Sequence, residues 1–171
     1  MGLDMYLYKK TYVGSRWCVV SPLIRGVRSE RIAYVIEEVG YWRKANQIHG
    51  WFVRNVQDGN DDCGEYSVDL AQLHQLLSLC ETVLDSLRMQ NGEVSIGFIC
   101  GPNEPFHEVF KDGKVVSDTV MAKRLLPTSS GPFFGSTNYD EYYRQDIEHT
   151  IEILREAVKD DYGNYYYHSS W

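Results

Sequence analysis

The 171-residue sequence contains no apolar run near the roughly 18 to 20 residues that a membrane-spanning helix requires. Its first residues, "MGLDMYLYKKTYV", show no basic leader followed by an apolar stretch, so they do not read as a secretory signal. Cysteine is sparse: Cys18, Cys63, Cys80 and Cys100 stand far apart with no CxxC pair. That spacing argues against a disulfide framework and points to a cytoplasmic protein with free thiols. Catalytic signatures are missing as well. There is no Walker loop, no HExxH and no GxSxG, and "GPFFGS" lacks the lysine of a phosphate loop. The histidines (His49, His74, His107, His149, His168) never fall at metal-ligand spacing, so neither a metal nor another cofactor is expected. Internal repeats and low-complexity segments are absent too.

What remains is an ordinary globular composition, 43% hydrophobic and 24% charged, with enough chain for one domain spanning residues 1–171. Aromatic residues are plentiful: 13 Tyr, 6 Phe and 4 Trp. Tyrosine has an apolar body and a polar tip, which suits half-buried strands and wet binding surfaces alike. The net charge of −7 is unevenly spread. Residues 16–56 hold seven basic side chains against three glutamates, whereas residues 57–136 hold twelve acids against five bases. A basic strip in an acidic chain can attract a small anion or pair with the protein's own carboxylates. Duplex nucleic acid is a poor partner, because neutralising its phosphates takes a broad excess of Lys and Arg.

Periodicity predicts a strand over residues 3–13, a loop or short strand around residues 17–20, and a second strand through "RIAYVIEEVGYWR" to Trp42. Helical spacing follows over residues 44–56, through Ala45, Ile48, Phe52 and Val56. "QDGNDDCGEY" reads as a loop. Asp69 and Gln72 form a capping pair for a helix with Leu70, Leu73, Leu77, Cys80, Leu84 and Leu87 inward. "QNGEV" reads as a turn, and "EVSIGFIC" and "HEVFKDGKVVSD" follow as strands, with Asp112-Gly113 as a two-residue hairpin turn. A short helix over residues 120–126 and a long one over 139–159, capped by Asn138 with Glu141, precede the closing strand "NYYYHSSW". So aromatic a terminal strand belongs inside the sheet, beside the first strand. The fold class is α+β: a mostly antiparallel sheet, two or three helices on one face, both terminal strands within the sheet.

For function, the stretch "GYWRKANQIHGWFV" stands out. On a helix, Arg43, Asn46, Gln47 and Gly50 share one stripe, opposite the apolar Ala45, Ile48 and Phe52. Guanidinium and amide groups recognise phosphates, carboxylates and base edges, and Trp42 or Trp51 beside them can stack on a flat ligand. The Gly- and Ser-rich residues 131–137 lead into a helix N-terminus, which favours anions. The expected site therefore comprises Trp42, Arg43, Asn46 and His49 with Gly135, Ser136 and Thr137. An enzyme reading uses Cys63 activated by His49, but Asp61 and Asp62 raise a neighbouring thiol's pKa and oppose it. The residues favour a protein that is not an enzyme.

The blocks "MGLDMYL", "VGYWRKANQIHGWFV", "VQDGNDDCGEY", "LLPTSSGPFFGSTNYDEYY" and "YYYHSSW" resemble a family of small phage- and prophage-encoded proteins. The resemblance covers roughly half of the chain and implies no established activity. By analogy, it suggests a cytoplasmic counter-defence protein that sequesters a small anionic, nucleotide-type ligand. Two alternatives stand beside it. One is an acidic inhibitor that covers a basic host protein, or a nucleic-acid-binding protein, with helix 139–159. The other is a small hydrolase or Cys63-dependent enzyme. Exposed aromatics near the chain ends favour a homo-oligomer.

Overall fold

The computed structural model describes residues 2–13, 27–28, 31–101, 104–131 and 133–171. The short strand expected around residues 17–20 lies outside them. Six strands and four helices follow one another as β1 (Asp4–Tyr12), β2 (Tyr34–Arg43), α1 (Asn46–Asn55), β3 (Glu65–Val68), α2 (Leu70–Ser86), β4 (Met89–Gly101), β5 (Glu104–Val116), α3 (Val120–Leu125), α4 (Glu141–Ala157) and β6 (Tyr165–Ser170). The fold is α+β with two antiparallel sheets. One has four strands in the order β2-β1-β6-β3, and the other is the β4-β5 hairpin.

Alternation in β1 turns Met5 and Leu7 inward, both fully buried, while Tyr6 and Tyr8 stay partly exposed. β6 does the same with Tyr165, Tyr167 and Ser169. These inward residues meet Ile48 and Phe52 of α1, Leu73, Leu76, Cys80 and Val83 of α2, and Ile147, Ile151 and Leu154 of α4 in one continuous core. Each large apolar side chain so buried contributes about 1.5–3 kcal/mol. On the opposite face, Tyr6 gathers Tyr8, Tyr41 and His168 around its ring at centroid distances of 5.6, 5.3 and 6.0 Å.

Both chain-terminal strands lie in the interior of the sheet: Asp4 pairs with Ser170 and Leu7 with Tyr167. α2 opens with the expected capping box, Asp69 Oδ1 accepting from Gln72 N at 2.7 Å and Gln72 Oε1 from Asp69 N at 2.9 Å. The inward face of α2 is rotated from the expected one: Leu76 and Val83 are buried, while Leu70, Leu77 and Leu84 pack at its margin.

Other expectations are corrected. The segment read as a loop runs at its last two residues into β3, which pairs with β6 from Glu65–His168 to Val68–Tyr165. α4 is capped by Asp140 rather than Asn138: Asp140 Oδ1 accepts from the amides of Tyr142 and Tyr143 at 2.9 and 3.2 Å. Neither "QNGEV" nor Asp112-Gly113 is a turn. Gly92 and Gly113 sit opposite each other in the β4-β5 ladder, whose far end pairs Gly101 with Glu104. A Cβ on Gly113 would stand 2.6 Å from Val94 Cγ2, and one on Gly92 would stand 2.6 Å from Val115 Cγ2. Close cross-strand packing explains this glycine pair.

Candidate functional site

Where β2 runs into α1 the backbone makes a sharp, strained change of direction. Lys44 adopts a left-handed conformation (φ 63°), its N–H donating to Leu3 O at 2.8 Å. Phe133 is also left-handed (φ 64°), and its carbonyl accepts from Leu3 N at 3.3 Å. A non-glycine residue held this way costs about 1 kcal/mol or more, and such strain gathers at functional sites. Gly135 (φ 92°) packs so closely on Lys44 that an added Cβ would lie 3.0 Å from the lysine's own.

These segments enclose a cleft of about 860 Å³. Arg43, Lys44 and Gln47 form one side, loop residues 133–138 a second, and the first turns of α4 the floor; Ser95, Ile96, Gly97 and Glu108 of the hairpin close it. The volume is within the range of small-molecule sites. Burial separates rim from floor. Phe133 (59% exposed), Ile96 and Tyr142 are at the rim with Arg43, whose side chain is 59% exposed and only 3.9 Å from Asp4 Oδ1 by one guanidinium nitrogen. Gln47, Ser95, Asp140 and Tyr143 are buried at the floor.

Electrostatics of the lining are mixed: Arg43 and Lys44 against Glu108, Asp140 and Asp146. Burial pushes the Asp146 carboxyl up to about 6, although Gln47 Nε2 donates to its Oδ2 at 2.9 Å and opposes the rise. Burial likewise raises Asp140, outweighing the two amides that its Oδ1 accepts. Its Oδ2 is buried with no partner among the described residues. Asp140 also borders a more open hollow of about 500 Å³ beside Lys123 and Tyr139.

Of the seven residues expected at a site, Arg43, Gly135, Ser136 and Thr137 line this cleft. Trp42, Asn46 and His49 do not; internal bonds occupy all three. Trp42 is 2% exposed and donates from Nε1 to Thr150 Oγ1 at 2.9 Å. Asn46 staples the loop, donating from Nδ2 to Phe134 O and Ser136 O (3.1 and 2.8 Å) and accepting from Ser129 N at Oδ1 (2.9 Å). His49 sets Nδ1 2.7 Å from the Tyr167 hydroxyl and Nε2 3.1 Å from Asp61 Oδ2. Trp171 Nε1 donates to Asp61 Oδ1 at 3.0 Å, which fixes the carboxylate from its other side. The physical reason is that α1 has no wet face in its first two turns: every residue from Asn46 to Phe52 is buried. With both ring nitrogens engaged, His49 has none left to activate Cys63, which is partly buried in a left-handed turn (φ 55°).

Sequence reading missed Gln47 as a floor residue and missed Asp140, Asp146, Phe133 and the hairpin wall altogether. Nothing in the sequence singles out Asp140 and Asp146: the first reads as an ordinary helix cap and the second as solvated helix charge. Among the described residues no group of three or more His, Cys, Asp or Glu is placed to hold a metal ion. Nor is any helix there long and apolar enough to cross a membrane. No family model matches the chain, and no curated protein or solved structure matches it either.

Proposed function

We propose that this chain is a binding protein that holds a small phosphate-bearing ligand of the nucleotide type in the cleft between α1, α4 and the hairpin. One observation carries the reading: an open cleft of about 860 Å³ with Arg43 and Lys44 at its rim, aromatic side chains beside them and polar groups on its floor. Arg43 is the fitting anion contact. Its guanidinium is largely exposed, lies beside the Tyr41 hydroxyl and 3.9 Å from Asp4 Oδ1, and presents a planar fork of donors suited to phosphate. Lys44 adds a second positive charge from a strained position that the fold maintains at a cost. The resemblance to phage-encoded proteins makes sequestration of a host nucleotide signal, rather than turnover, the biological role.

Isothermal titration of the full chain with nucleoside monophosphates tests this. Binding is expected for the phosphorylated compounds, and Arg43→Ala together with Lys44→Ala lowers affinity tenfold or more, which corresponds to losing about 1.4 kcal/mol. No binding by any nucleotide, or equal affinity for nucleosides lacking the phosphate, removes the reading.

A further inference from the structure

The floor of the cleft offers hydrogen-bond acceptors and few free donors. Asp140 is 2% exposed, its Oδ1 spent on two helix amides and its Oδ2 without a partner among the described residues. Asp146 accepts from Gln47 through Oδ2, and its Oδ1 receives no hydrogen bond among the described residues. The Gln47 amide N–H, the obvious donor at this depth, is thereby committed to holding the carboxyl in place. Of the two carboxyls, Asp146 is the half-buried one and lines the cleft, so the open acceptor it keeps beside Gln47 is one that a ligand bringing its own N–H groups can satisfy.

Resting on the nucleotide reading above, we infer that the cleft is built for a guanine nucleotide, entering base first, with the phosphate left at Arg43 and Lys44. Guanine is the base whose pairing edge presents two adjacent donors, N1–H and the 2-amino group, and a carboxylate accepts both. Adenine and cytosine place a ring acceptor next to their amino group, which would face a carboxylate lone pair. Uracil carries a single N–H between two carbonyls. The exposed Phe133 ring at the rim supplies a face for stacking, which is indifferent to base identity and leaves discrimination to the floor. A site built to accept a donor discriminates strongly against analogues lacking it.

The test is a titration series on the full chain at pH 8 with GMP, IMP, AMP, CMP and UMP. GMP is expected to bind at least about tenfold more tightly than AMP, CMP or UMP, with IMP, which keeps N1–H but lacks the 2-amino group, in between. Asp146→Asn keeps an acceptor for Gln47 but replaces a free acceptor with a donor. It should abolish the preference for GMP while leaving phosphate-dependent binding. A wild-type measurement guards against a folding defect in the variant: both affinities fall as pH is lowered from 8 to 5, because the shared phosphate takes up a proton near pH 6, and GMP falls more steeply than AMP, so that its preference over AMP is lost. Asp146 shares α4 with Asp140 and His149, faces Gln47, and lines the cleft with Arg43, Lys44 and Glu108, so the AMP arm controls for those neighbours. Equal affinity for all five nucleotides, or an undiminished GMP preference in Asp146→Asn, overturns the guanine assignment and leaves the phosphate site standing. Tighter binding of phosphoethanolamine than of GMP overturns it in favour of an ammonium headgroup. Absence of any nucleotide binding removes both readings.

Discussion

Asp146 weakens the fold at neutral pH, and the sign of that effect is open to measurement. Its ordinary value is 3.8, and burial pushes it up to about 6 in the folded chain. Between those values the folded state holds a proton that the unfolded state has released. Stability therefore declines as pH rises through this window, and the penalty is complete above about pH 7. A rise of this size in a carboxyl's pKa corresponds to at most about 3 kcal/mol. Asp146→Asn should raise stability at pH 7 by about 1–3 kcal/mol and change it little at pH 4, as urea unfolding at the two pH values would register. Equal stability at pH 7 would mean that the carboxylate is well solvated and costs nothing. Legibility at this scale depended on whether a residue's partners were near in sequence. Arg43 and residues 135–137 could be placed from their positions before a helix and in a loop. Asn46 could not, since what occupies its amide lies 83 to 90 residues away.

Among elements, the β4-β5 hairpin was the most misread, and the reason is the double meaning of glycine. Asn-Gly and Asp-Gly pairs usually mark tight turns because glycine tolerates positive φ. Here Gly92 and Gly113 face one another in mid-ladder, where what matters is the missing Cβ. The close packing lets Val94 bury to 1% exposure and brings Glu141 near enough to accept from Lys114 N at 3.1 Å. Glu141 also pairs with Lys111 at 3.2 Å, so the hairpin's base is tied to the start of α4. A two-stranded hairpin is marginal in water by itself, and this anchorage is what keeps Ser95–Gly97 at the cleft wall. In Gly113→Ala the new methyl would meet Val94 at 2.6 Å and Glu141 Oε2 at 3.2 Å. The expected cost is about 1–3 kcal/mol in a thermal melt, with weaker nucleotide binding as the wall shifts. A variant with the parent's melting temperature and affinity would show that the ladder relaxes freely there. The extents of α2 and α4, by contrast, were legible because long amphipathic repeats leave little ambiguity, although the cap of α4 fell two residues later than expected and the buried face of α2 took in Leu76 and Val83.

At the scale of the whole molecule, the fold depends on joining its first and last strands. The terminal strand was placeable inside the sheet from composition alone, since "YYYHSS" has too much aromatic surface to stand unpaired. Its second neighbour, β3, was not, because a four-residue strand at the end of a turn-rich segment carries too little pattern to show. β6 bonds to β1 on one side and β3 on the other. Tyr167 stacks on Phe52 at 3.9 Å with the rings 7° from parallel, and its hydroxyl meets His49. Tyr165, 2% exposed, donates from its hydroxyl to Ala157 O at 2.6 Å, closing the end of α4. Deleting residues 165–171 would therefore remove two buried aromatic rings, split the sheet and strip His49 and Asp61 of Tyr167 and Trp171. Loss of one large core aromatic costs about 3–5 kcal/mol, against a total stability of about 5–15 kcal/mol for ordinary domains. Two such losses with a central strand exceed what the rest of the core can offset. The truncated chain is expected to show no cooperative thermal transition by circular dichroism and no nucleotide binding. A sharp transition near the parent's melting temperature would mean that β1 and β3 hold their places without β6, and that the α1–α4 core supports the cleft alone.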